Sequence, residues 1–146
     1  MWRPGINEGV FVLSKVAKTR GYINRMGQCF TIVGRLPGYN ELKARCWQES
    51  ARRKAEAMRE VQIAAMAARI RPVRGQVTVT IRCYEPNARR DVDNVTSGAG
   101  KVILDALQEI GVLQGDGRKY IAQVIYPAVE IDRKNPRVEV EIREVE

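Results

Sequence analysis

The run "QVTVTIRCYEP", residues 76–86, alternates without a break. Val77, Val79, Ile81 and Cys83 fall on one side, and Thr78, Thr80, Arg82 and Tyr84 on the other. A period of two over this length is the pattern of a strand with one face against a core. Such a strand needs partners along its edges and a second layer over its apolar side. The chain offers both. "QCFTIV" (28–33), "KYIAQVIYPAVEI" (119–131) and "PRVEVEIRE" (136–144) read as further strands, with the turn-forming "DRKNP" between the last two.

Helices supply the cover. From Glu41 to about Ile70 the sequence is free of Gly and Pro and rich in Ala, Glu, Arg and Met. Asn40 stands in the cap position and Pro72 halts the run. Trp47, Ala51, Ala55, Met58 and Ala65 fall near one face. A second amphipathic helix carries Val102, Ile103, Ala106, Leu107 and Ile110 and stops at Gly111. The order strand, helix, strand, helix, strand, strand predicts an α+β fold with a mixed or antiparallel sheet and two main helices. At 146 residues the chain has the size of one domain, which we expect to occupy residues 27–146 behind an extension over residues 1–26.

Composition removes several kinds of chemistry. Histidine is absent, so Ser-His-Asp and Cys-His catalysis and His-ligated metal centres are excluded. Cys29, Cys46 and Cys83 are an odd number without CxxC spacing, which points to reduced core thiols rather than a disulfide frame or zinc site. No apolar run approaches the roughly 18 residues that cross a bilayer. The N-terminal stretch has only a short apolar patch, Val10 to Leu13, and no cleavage-site pattern, so a cytoplasmic protein without membrane partners is expected.

The net charge of +8 is unevenly spread: +5 over residues 1–39, +7 over 40–90 and −4 over 91–146. A basic first two-thirds suits a polyanion such as nucleic acid, although many basic domains only solvate their charge. Arg45, Arg52 and Arg59 recur every seven residues along one helical face. That stripe is either a solvated face or a track for backbone phosphates.

Against this background the acids of "EPNARRDVDNVTSGAGKVILDAL" (85–107) stand out. Asp91 and Asp93 lie two apart where the alternating strand ends, and in extended geometry they project to one side. Like charges that close favour a bound cation, and an all-oxygen set selects a hard ion such as Mg²⁺ or Mn²⁺. The competing reading is a turn shaped by Asp93 and Asn94. Asp116, between two glycines in "QGDGRK", is either a third metal ligand or a turn residue. Asp105 lies four after Lys101 and suits an ion pair with it. Lys101, following Gly98 and Gly100, is expected in the first turn of its helix, where the dipole end suits a phosphate. With Arg89 and Arg90 just before the acids, the set fits metal-assisted phosphodiester hydrolysis.

"RRDVDN", then "GKVILDALQEIGVLQGD", then "PRVEVEI", preceded by "FTIVGRLPGYNE", resemble the RusA family of Holliday-junction resolvases, small nucleases often carried by phages and prophages. The similarity spans about residues 28–144. It implies a RusA-like fold, Mg²⁺ bound by Asp91, Asp93 and Asp116, and catalytic help from Lys101. Two departures stand out. Gly115 and Asp116 replace the paired aspartates often found there, and the gap from Asn94 to Lys101 is about four residues longer, close to one helical turn.

The expected activity is therefore a Mg²⁺-dependent, structure-selective endodeoxyribonuclease that resolves four-way junctions in DNA recombination and repair, with Arg45, Arg52, Arg59, Arg89 and Arg90 contacting the DNA. Alternatives are the same chemistry on flaps, forks or RNA, a non-catalytic module that holds branched DNA, and a structural domain with no nucleic-acid role. Paired cuts in a two-fold substrate imply a homodimer, with its interface near Val77 to Cys83 or on the long helix.

Overall fold

A computed structural model of the chain describes residues 22–24, 27–43 and 45–145. The expected extension falls mainly outside them. Among the described residues six strands form one mixed sheet in the order β1-β2-β6-β3-β4, with β5 also against β3. The strands are β1 (Tyr22–Asn24), β2 (Gly27–Val33), β3 (Val77–Glu85), β4 (Ile121–Ile125), β5 (Glu130–Ile131) and β6 (Arg137–Glu144). The helices are α1 (Tyr39–Leu42), α2 (Trp47–Ala67) and α3 (Val92–Glu109). The architecture is the expected α+β fold with two long helices. The sheet begins earlier than the sequence suggested, because Tyr22–Asn24 pairs antiparallel with β2.

β3 is the spine. Its burial alternates along all nine residues, and it pairs antiparallel with β6 on one side and parallel with β4 and β5 on the other. The inward residues Val77, Val79, Ile81 and Cys83 meet Val138, Val140 and Ile142 of β6 and Phe30 and Ile32 of β2 in one core. Because β3 is flanked on both sides, Val77 to Cys83 is not a free edge for a second copy. The outer strand beyond β3 is β4.

Helices α2 and α3 cover the apolar face. The buried stripe of α2 is Ala57, Val61 and Ala65. Trp47 is 75% exposed instead of joining that stripe. The long predicted helix is divided in two, α1 ending at Leu42 and α2 starting at Trp47, although neither Gly nor Pro lies between them. Tertiary contacts hold the break. Arg53 Nη1 donates to the Glu41 carbonyl at 3.0 Å, and the Asn40 N–H donates to Asn94 Oδ1 at 2.8 Å. Gly38, not Asn40, is the N-cap of α1.

α3 starts at Val92, well before the apolar positions that announced it. Gly98 and Gly100, which read as helix breakers, are buried inside it. A side chain at Gly98 would strike the backbone of Pro37 and Gly38, so only glycine lets α1 and its approach loop lie against α3.

Candidate active site

The site grows from the end of β3. Glu85 continues the inward alternation and is 3% exposed, a carboxylate placed where a hydrophobe is expected. Arg90 answers it: Nε and Nη2 donate to the two Glu85 oxygens at 3.0 and 2.8 Å. The Nη1 group of the same residue donates to the Leu36 carbonyl at 3.1 Å and to Glu41 Oε1 at 2.7 Å. Arg35 adds a second cation 3.6 Å from Glu85. Burial alone disfavours the Arg90 charge, but bonds to Glu85 and Glu41 outweigh it and raise the guanidinium above its ordinary value. Burial also works against the Glu41 carboxylate, yet the Gly38 N–H and Arg90 hold it below its usual range. This clamp fixes the turn that delivers Asp91.

Asp91 is the N-cap of α3, with extended backbone (φ −66°, ψ 150°), and its side chain makes no capping hydrogen bond. Asp93 lies in the first helical turn. The pair therefore straddles a strand-to-helix boundary and is not wholly extended. Both residues are exposed, beside the unpaired N–H groups and positive dipole end of α3. Neither carboxylate is used by the fold, which leaves two oxygen-donor groups free to hold a hard divalent cation. Asn94 does not shape a turn; it binds α1.

The other expected site residues lie elsewhere. Lys101 sits in the third turn of α3 rather than the first, because "TSGAG" is helical. The lysine is about 12 Å along the axis from Asp93 at 1.5 Å per residue. Its ammonium is 3.3 Å from Asp105, which also binds Lys54 at 2.6 Å. Burial raises the Asp105 carboxyl, but these two lysines outweigh it and hold the group below its usual range. Asp105 is thus an ion-pair residue. Asp116 is exposed in the loop after α3, at the opposite end of that helix from Asp91. Eighteen helical residues put about 27 Å between the two ends. Among the described residues no three acidic or cysteine side chains gather closely enough to hold a metal ion. Within one chain, Asp116 does not complete the pair.

The arginines also divide. Arg90 is committed to the clamp and is not available to DNA, whereas Arg89 is exposed beside Asp91. Arg45 precedes α2 and so leaves the stripe. Arg52 pairs with Glu56 at 3.1 Å, and Arg59 is exposed. A group the sequence did not reveal lies around Asp116. Arg69, Arg71 and Arg74 follow α2, and Arg118 and Lys119 follow α3; all five are exposed. Val73 N–H donating to the Val112 carbonyl at 2.9 Å, and Gln76 Nε2 to the Arg118 carbonyl at 2.7 Å, lay the two loops side by side. Among the described residues none of the five pairs with a carboxylate.

A search among curated proteins finds no match. The family model for endodeoxyribonuclease RusA matches residues 34–143, from the loop after β2 through most of β6 and including every site residue considered above. With the mixed sheet, the two long helices and that match over most of its length, the chain belongs to the RusA endodeoxyribonuclease family.

Proposed function

We propose that the protein is a divalent-metal-dependent, structure-selective endodeoxyribonuclease that resolves four-way DNA junctions in recombination and repair and acts as a homodimer in the cytoplasm. The observation that carries this reading is the exposed Asp91–Asp93 pair, unused by the fold and held by the Glu85–Arg90 clamp. The nuclease unit in this reading covers residues 27–146 and takes in β1 (Tyr22–Asn24), with the sequence before β1 an extension to it. Asp91 and Asp93 are the proposed metal ligands. A bound Mg²⁺, or Mn²⁺ in its place, contributes an activated water and charge stabilisation for phosphodiester hydrolysis. Arg89 offers a cation to the phosphate beside the pair. Lys101, 60% exposed on the same helix, steadies a phosphate about two turns further along.

Asp116 enters only from a second copy. β4 runs parallel to β3 and is the outer strand of the sheet beyond it. Two copies joined antiparallel along β4 bring the Asp116 loop of one toward the Asp91 end of the other, twice over. This matches a two-fold protein to a two-fold junction. The five cations around Asp116 then flank each site, where they suit backbone phosphates.

The test is incubation of labelled four-way junction, flap, fork, RNA and duplex with the protein in Mg²⁺ or EDTA. Paired, symmetric cuts confined to the four-way junction and abolished by EDTA are expected. Preferential cutting of flaps, forks or RNA would keep the chemistry and replace the substrate. Binding without cutting would leave a branched-DNA-binding module.

A further inference from the structure

We propose that Tyr39 and Trp47, with Lys43 and Arg45 between them, form a stacking platform for an unpaired base at a DNA branch point. The proposal rests on the reading that the Asp91–Asp93 end handles nucleic acid. Tyr39 opens α1 and Trp47 opens α2, with 46% and 75% of their surfaces exposed. Trp47 adds nothing to the buried stripe of α2, so the fold does not explain it. The Lys43 ammonium lies 5.0 Å from the Tyr39 ring centroid, and Arg45 is exposed. Among the described residues neither cation pairs with a carboxylate.

This segment is held beside the acid pair. Asn94, next to Asp93, accepts the Asn40 N–H, and Gly38 packs so closely on Asn94 that an added Cβ would come within 2.8 Å of its side chain. Arg53 braces the other side, bonding the Glu41 carbonyl and, at 2.7 Å, Glu49 in the first turn of α2. Two exposed aromatic rings and two cations without a carboxylate partner, all within one nine-residue segment, supply the side-chain types that stack on a nucleobase and hold its phosphate. A continuous duplex keeps its base faces stacked, so a platform of this kind is filled only where a strand exchange or opening frees a base.

The experiment places 2-aminopurine at the branch point of a synthetic four-way junction and measures binding in EDTA, so that cleavage plays no part. Wild-type protein should change the probe's fluorescence. Tyr39→Ala and Trp47→Ala should each weaken junction binding about ten-fold, with duplex affinity unchanged. Trp47→Phe should retain most of the effect. An unchanged junction-to-duplex ratio in the Tyr39→Ala, Trp47→Ala double variant would overturn the platform while leaving the nuclease reading intact. Halving of the molar mass by Trp47→Ala in light scattering would overturn it in favour of a contact between copies. Wild-type protein that binds neither junction nor duplex would sink the platform and the functional reading together.

Discussion

Glu85 and Arg90 meet edge to edge at the end of β3, with two parallel N–H···O bonds of 3.0 and 2.8 Å between a carboxylate and a guanidinium that are both largely withdrawn from water. Removing one member strands the other. Arg90→Ala leaves Glu85 buried with Arg35 3.6 Å away as its remaining cation. Breaking a buried pair costs about 3–5 kcal/mol, and the lower end applies here because Arg35 partly compensates. Urea unfolding should show that loss in Arg90→Ala, and Glu85→Gln combined with Arg90→Met should recover part of it. Wild-type stability in Arg90→Ala would show that the clamp does not hold the turn.

The strands were legible because a period of two survives burial on one face, and Glu85 itself continues that alternation as its fifth inward residue. The break between α1 and α2 was not legible. It has no Gly or Pro and is made by Arg53 and Asn94, partners 12 and 54 residues from the backbone groups they bind. Gly98 and Gly100 misled in the opposite sense, since their lack of a side chain serves close packing inside α3 rather than a turn. The spacing of Asp91 and Asp93 could be read directly. The position of Asp116 could not, because it depends on the length and direction of the helix in between. The cations around it are spread from Arg69 to Lys119 and form no run in the sequence.

Asp105 gives the fold a pH dependence. Its folded value lies below its ordinary one because Lys54 and Lys101 favour the charged form against the effect of burial. A carboxyl with a depressed folded value stabilises the protein above its unfolded value of about 4, and that contribution is lost as pH falls through the folded value. Asp105→Asn should therefore lower stability by about 1 kcal/mol at pH 7, the scale of half-exposed ion pairs. The gap between the two proteins should close as pH falls below about 4. Melting curves from pH 7 to pH 3 check this, and a constant gap would assign the effect to packing instead.

Salt titration separates the two proposed basic surfaces. Each Lys or Arg that neutralises a backbone phosphate contributes roughly one unit to the slope of log affinity against log salt. Replacing Arg69, Arg71, Arg74, Arg118 and Lys119 with Ala should flatten the slope by about four units if most of them reach phosphates. The Arg52→Ala, Arg59→Ala pair should change it by less than one, since Arg52 already answers Glu56. The reverse pattern would return DNA binding to the face of α2 and leave the Asp116 end solvated.

The separation of Asp116 from Asp91 and Asp93 makes a mixing experiment decisive. Asp93→Asn and Asp116→Asn should each cut poorly alone, because an amide keeps the shape of the carboxylate but loses the charge that holds a cation. Suppose that Asp116 serves the partner's pair. In a mixed dimer, one site then combines both defects, while the other has an intact Asp91–Asp93 pair from one chain and an intact Asp116 from the other. Mixing two inactive proteins should thus restore nicking of one strand: each mixed dimer keeps one of two sites, and with about half of the dimers mixed at full exchange of equal amounts the mixture should reach about a quarter of the wild-type rate per dimer. If all three acids served one chain, every site in the mixture would keep a defect and no activity would return. Manganese binding followed by titration calorimetry reads the same point without cleavage. Mixed dimers should retain one tight site per dimer, and either single variant should retain none. A wild-type rate in Asp116→Asn alone would remove that residue from the site and leave Asp91 and Asp93 as its acids.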